Sequence, residues 1–280
     1  MQIARKLGLA ESLVEREYHL LVAIEELRSN GLMDPLGSLC LGGGHGVRAC
    51  LPQDIQRFSI DLDFYSNSIN IQDLSKKISA LEKFERVGYG IEVEGRFKTY
   101  DSQPPDSLKR GTIAFTKEYH QAFQGSEVDP KFFVTICNSI APVTFEPRKP
   151  KSYIGIEYVK GEIPILSPEL IIAGKILALQ HRKIKDFYKD VFDIHALLKL
   201  SGTTVHIDKV IGPLATSNLI FTENEVHDKF KESSNYDNAR NAIKLPSQSR
   251  EKYLKDWGTI NSFVKGWTIG VLTKAGVLKA

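Results

Sequence analysis

Between residues 12 and 28 the apolar positions Leu13, Leu20, Leu21, Ile24 and Leu27 recur at three- and four-residue intervals. That spacing is one face of an amphipathic helix. Asn30-Gly31 and Asp34-Pro35 break it. From about residue 38 to 165 the period drops to two, in the runs SLCLGG, FSIDLDF, GIEVEGRFK, GTIAFTK, KFFVTIC and SYIGIEYV. These predict strands separated by turns, with a helix around residues 72 to 84. From Ser167 the pattern is helical again. Ser167-Pro168-Glu169 supplies an N-cap residue, a proline at the first helical position and an acid in the first turn. The polar tail that follows reads as helices and loops. The expected organisation is an α/β domain over residues 1–166, including the N-terminal helix, and a helical domain over 167–280.

Composition narrows the class. Of 280 residues, 42% are hydrophobic and 25% charged, which excludes disorder as the main state. No apolar run approaches the ~18 residues a membrane span needs, and the N-terminus has no signal-peptide core. Cys40, Cys50 and Cys137 have no spacing that suggests a disulfide framework or a zinc site, so a reducing cytoplasm is expected. A net charge of +3 permits an anionic partner without requiring one. The seven histidines, His45 and His195 among them, lack paired-ligand spacing and read as structural or surface residues.

Two segments carry chemistry. In FSIDLDF, strand alternation puts Phe58, Ile60, Leu62 and Phe64 on one face and Ser59, Asp61 and Asp63 on the other. Carboxylates at i and i+2 stand ~7 Å apart along a strand. Their mutual repulsion is relieved by a divalent cation, and oxygen-only ligands favour Mg²⁺. A solvent-facing strand edge would give the same pattern. Upstream, LCLGGGHG runs an apolar strand into Gly42, Gly43, Gly44 and Gly46, where the backbone can approach a ligand closely and a following helix would aim N–H groups at a phosphate. It matches neither a Walker A loop nor a complete GxGxxG fingerprint.

The second segment begins with PELIIAGKILALQHR, apolar around nearly its whole circumference, with Lys175 in the middle. A buried ammonium there needs an anion or an acidic partner, unless its stem snorkels to solvent. In KIKDFYKDVFDIHALLKL, Asp186, Asp190 and Asp193 share one sector, and Phe187, Val191, Ile194 and Leu198 form an anchoring stripe. The acids either make a solvated salt-bridge surface with Lys183, Lys185 and Lys189, or one of them pairs with Lys175 or faces an active site.

The ordered set of Gly42-Gly43, then Arg57, Ser59, Asp61, Asp63 and Phe64, then Lys175 to Leu179, then Lys189-Asp190 with Asp193, resembles the nucleotidyltransferase-fold toxins of the AbiEii/AbiGii type. The resemblance implies an α/β (α+β) nucleotidyltransferase-like core with a mixed sheet, followed by a helical C-terminal region. It implies a Mg²⁺-dependent enzyme that transfers a nucleoside monophosphate from an NTP to an RNA, tRNA included, or to a protein. A cognate antitoxin would restrain it. By the same match, Asp61, Asp63, Lys175 and Asp190 are catalytic, with Mg²⁺ on Asp61 and Asp63. Gly42, Gly43, Gly44, Arg57 and Ser59 bind the nucleotide. Gly44 stands where the family commonly has Ser or Thr. The strand KFFVTICNS, where such folds often place a third carboxylate, offers Thr135 and Asn138 but no acid, and Glu92 and Glu94 read as solvent-facing. The alternative is a non-catalytic nucleotide- or RNA-binding protein on the same fold.

Overall fold

The computed structural model describes residues 2–33, 39–59, 61–66, 89–92, 110–117, 132–138, 144–150 and 158–280. The helix expected at 72 to 84, Ile60, Glu94 and most of SYIGIEYV lie outside them. The chain divides into two compact units, one comprising residues 1–49 and 59–166 and the other 50–58 and 167–280.

The first unit is built on a mixed seven-stranded sheet, ordered β3-β4-β5-β2-β1-β7-β6. The strands are β1 Cys40–Leu41, β2 Leu62–Ser66, β3 Tyr89–Glu92, β4 Arg110–Lys117, β5 Phe132–Asn138, β6 Phe145–Arg148 and β7 Ile163–Leu166. β2 is central, antiparallel to β1 and parallel to β5. Of FSIDLDF, expected to be strand throughout, only Leu62–Phe64 lies in β2, because Phe58 pairs with the helices. Within β2 the alternation is the expected one, with Leu62 and Phe64 fully buried and Asp63 and Tyr65 half-buried. β6 and β7 were not marked by the two-residue period. β7 reads IPIL, buried at all four positions, so it presents no polar alternate. Helices α1 Gln2–Leu7, α2 Glu11–Ser29 and α3 Gly43–Ala49 complete the described part of this unit. α2 buries Leu20, Leu21, Ile24 and Leu27 on the predicted face. Cys40 and Cys50 are buried free thiols, and burial pushes Cys40 up to about 12, which leaves it unreactive.

The second unit is helical: α4 Pro168–Leu177, α5 Ile184–Lys199, α6 Ile207–Ala215, α7 Glu223–Glu232, α8 Tyr236–Ala242, α9 Ser247–Tyr253 and α10 Trp257–Lys274. A two-stranded parallel pair, β8 Phe221–Thr222 with β9 Leu278–Lys279, joins it. Ser167 caps α4 by accepting from the Leu170 N–H, with Pro168 in the first turn. Phe187, Phe192, Phe230 and Trp257 fill the core. Phe187 meets Phe230 edge-on at 5.0 Å, and the Trp257 indole N–H donates to the Ser233 carbonyl at 2.8 Å.

Residues 50–58, expected with the sheet, pack instead with the helices. The Phe58 N–H donates to the Lys244 carbonyl at 2.8 Å, the Tyr253 hydroxyl donates to Asp54 Oδ2 at 2.5 Å, and Arg57 binds Asp193. These partners lie 136 to 199 residues along the chain, beyond the reach of any local pattern. Among the described residues no helix is long and apolar enough to cross a membrane.

Candidate active site

In the sheet unit, β1 delivers the chain into the glycine turn beside β2. The Gly42 N–H donates to the Asp63 carbonyl at 2.8 Å. A Cβ on Gly42 would stand 2.7 Å from Cδ2 of the Tyr65 ring, and one on Gly43 would overlap the Asp63 carboxylate and lie 2.8 Å from its Cβ. Gly43 also has φ +53°, a left-handed conformation open to glycine. Gly42 is therefore required by the Tyr65 ring and Gly43 by the Asp63 side chain that rests on the turn. Gly44 follows, buried, in the first turn of α3.

Asp61 precedes the first ladder residue of β2 and is half-buried, as is Asp63. The Ser59 hydroxyl, buried, donates to Asp61 Oδ1 at 3.4 Å, and the His45 ring lies with Nδ1 3.0 Å from the Asp61 carbonyl. Behind His45 is a buried ion pair. Arg48 of α3 grips both oxygens of Glu17 from α2, with Nη2 to Oε1 at 2.5 Å. Burial works to raise the Glu17 carboxyl, but Arg48 and His45 more than offset it and hold it far below the usual carboxylate range. Glu17 had a signal in the sequence: it sits four residues after Leu13 and three before Leu20, an acid inside an apolar stripe.

In the helical unit, Lys175, 7% exposed, points from α4 to α5. Its Nζ lies 2.7 Å from Asp190 Oδ1 and 2.7 Å from Asp193 Oδ2. Arg57 makes a two-pronged contact with Asp193, Nε to Oδ1 at 2.7 Å and Nη2 to Oδ2 at 2.6 Å. Arg182 donates from Nε to Asp190 Oδ2 at 2.9 Å. Two buried acids are thus shared among three cations. Asp186 pairs with Lys189 at 2.9 Å and feels Arg182 through its charge. Burial works to raise Asp193, but Arg57 and Lys175 outweigh it and keep its carboxyl below the ordinary range. Both acids that share Lys175 were candidates in the sequence. The Arg57–Asp193 contact and the part of Arg182 had no local signal.

The family profile described as nucleotidyl transferase AbiEii toxin, type IV TA system, matches residues 35–253. The chain belongs to the AbiEii family of nucleotidyl transferase toxins. Among solved structures, the nucleotidyltransferase toxin MenT4 from Mycobacterium tuberculosis is similar with a TM-score of 0.50 at 11% identity, over 100% of this chain and 98% of that one. That likeness supports the nucleotidyltransferase fold. An antigenic nucleotidyltransferase-like protein from Paracoccidioides brasiliensis has a TM-score of 0.39 at 12% identity, over 89% of this chain and 92% of that one. No curated protein matches the chain.

The AbiEii profile spans both clusters, but it starts after α2, so Glu17 lies outside it and its partners His45 and Arg48 lie inside. Opposite Asp63 on β5 the register places Thr135. Glu92 belongs to β3, three strand spacings from β2, which is about 14 Å. Among the described residues no three His, Cys, Asp or Glu side chains come together as a metal cage. Two half-buried carboxylates at a glycine turn nevertheless suit Mg²⁺, which commonly takes one or two carboxylates and completes its shell with substrate phosphates and water.

Gly43→Ala is expected to displace the Asp63 carboxylate and to cost about 1–3 kcal/mol of stability from the strained φ alone, read by denaturant titration. In the helical unit, Asp193→Asn takes the buried carboxylate from Arg57, while Lys175 keeps Asp190, and should cost ~3–5 kcal/mol. Lys175→Met leaves Asp193 with Arg57 and Asp190 with Arg182, so its cost should be smaller, about 1.5–3 kcal/mol. Because the folded Asp193 carboxyl is held down, its stabilisation is present above the unfolded value near pH 4 and is lost as pH falls below that. Thermal melts between pH 7 and pH 2 should show a shallower acid loss in Asp193→Asn than in the wild type.

Proposed function

We propose that this AbiEii nucleotidyltransferase moves a nucleoside monophosphate from an NTP to an acceptor hydroxyl on RNA, or on a protein, with Mg²⁺ on Asp61 and Asp63. The observation that carries the proposal is Asp63 seated on the Gly42-Gly43 turn, with Asp61 two residues before it. Bound Mg²⁺ would neutralise charge developing on the triphosphate. The rest of the work is positioning by the chain's own groups, as in phosphoryl transfer generally. The backbone N–H groups of Gly43 and Gly44 are proposed to donate to phosphate oxygens, while Gly42, whose N–H is held by the Asp63 carbonyl, shapes the turn. The Ser59 hydroxyl orients the Asp61 carboxylate.

Lys175 is proposed as a catalytic cation, a compact point charge of the kind suited to phosphate. Both Asp190 oxygens are engaged by cations, Lys175 on one and Arg182 on the other. This supports an orienting role for Asp190 rather than proton abstraction. Arg57, expected on a phosphate, is spent on Asp193; its part is to keep Asp193 against Lys175. The helical unit has 18 Lys and Arg against 13 Asp and Glu, net +5, whereas the sheet unit has 19 against 21, net −2. That asymmetry favours a polynucleotide acceptor over a protein. As a member of a type IV toxin family, the protein is proposed to act in the cytoplasm under a cognate antitoxin.

Incubation of pure protein with each labelled NTP, Mg²⁺ and total RNA tests the reading. Label is expected on RNA, and Asp63→Asn should abolish it without lowering the melting temperature, since removing one of two like charges relieves repulsion. Shortened RNA, or NTP retained without transfer, would overturn the proposed reaction.

A further inference from the structure

We propose that His45 is a positioning residue that sets the main chain at Asp61, and so the aim of the Asp61 carboxylate; this rests on the reading of Asp61 as a metal-binding acid. Asp61 is the residue before the β2 ladder begins, so strand pairing with β5 holds Leu62 onward and not the turn that carries Asp61. The His45 ring lies across that turn. A carbonyl only accepts, so the 3.0 Å contact makes Nδ1 the protonated nitrogen, donating to the Asp61 oxygen.

The other side of the ring is fixed too. Nε2 lies 3.4 Å from Arg48 Nη1 and 3.6 Å from Glu17 Oε2. Glu17 and Arg48 are locked to each other by the two-pronged pair that joins α2 to α3. His45 itself is 5% exposed, so no bulk water competes for either nitrogen. A buried helix pair thus reaches, through one imidazole, the backbone of a residue that strand pairing does not hold. His45 touches neither nucleotide nor metal in this scheme. It acts through Asp61 alone.

The two ring nitrogens can be separated by substitution. Asn places its amide nitrogen close to where Nδ1 stands, whereas Gln reaches toward the Nε2 position and gives up the bond to Asp61. Both keep a buried polar amide beside Arg48. Two measurements on the full chain are decisive: hydrogen–deuterium exchange of the amides of residues 61–64 without ligand, and binding of Mn²⁺ alone followed by electron paramagnetic resonance. His45→Asn is expected to stay within about twofold of wild type in both, and His45→Gln to exchange and release Mn²⁺ about tenfold more readily, the worth of one hydrogen bond. Equal behaviour of the two variants, whether both hold or both fail, overturns the proposal, because a role in packing alone would not tell Nδ1 from Nε2. If the wild type binds no Mn²⁺, the metal reading fails, and the exchange contrast still decides the role of His45.

Discussion

Asp193 is a carboxylate with no solvent exposure, and much of the helical unit is arranged to make that tolerable. An isolated buried charge of this kind would cost several kcal/mol, so it must be met by cations held in good geometry. Arg57 meets it with two parallel hydrogen bonds and Lys175 with a third. To bring Arg57 there, residues 50–58 join helices that begin more than a hundred residues later in the chain. Asp190 then shares Lys175 and reaches out to Arg182. The links are unequal: without Lys175 each acid keeps one cation, whereas without Asp193 the buried Arg57 loses its carboxylate.

The sheet unit applies a different constraint to a similar end. There the limiting quantity is space, because Asp63 occupies the volume in which a Cβ of Gly43 would stand. The backbone of the turn and the carboxylate can be neighbours only while that volume stays empty. Asp61, one residue outside the ladder, is steadied by Ser59 and His45 instead of by a partner strand. Glu17 and Arg48 give that arrangement a rigid base, a buried pair whose charges satisfy each other where water cannot. Thr135 stands opposite Asp63, so the acidic pair on the β2 segment stands without a third acid on the neighbouring strand.

Much of this was legible from residues 12 to 200 as a sequence. Strand and helix periods located β2, β4, β5, α2, α4 and α5, since burial of one face imposes those periods directly. The alternation in FSIDLDF separated Asp63 from the apolar Leu62 and Phe64, and the apolar surroundings of Lys175 raised an acidic partner as one alternative beside a bound anion or a snorkelling stem, because both follow from local geometry and the cost of burying charge. The glycines announced a close approach. Their partner, the Asp63 side chain, was not announced.

What only the tertiary structure decided is pairing. Whether Lys175 met Asp186, Asp190 or Asp193 depended on how α4 crosses α5, and two of the three acids proved to share it. Arg57 carried no mark of its distant carboxylate, and β7 carried no alternation because it is buried throughout. His45 looked like any histidine until α2 and α3 closed around it. In each case the deciding quantity is a distance across the fold between residues far apart along the chain, and periodicity records only which side of an element faces inward, not what it will find there.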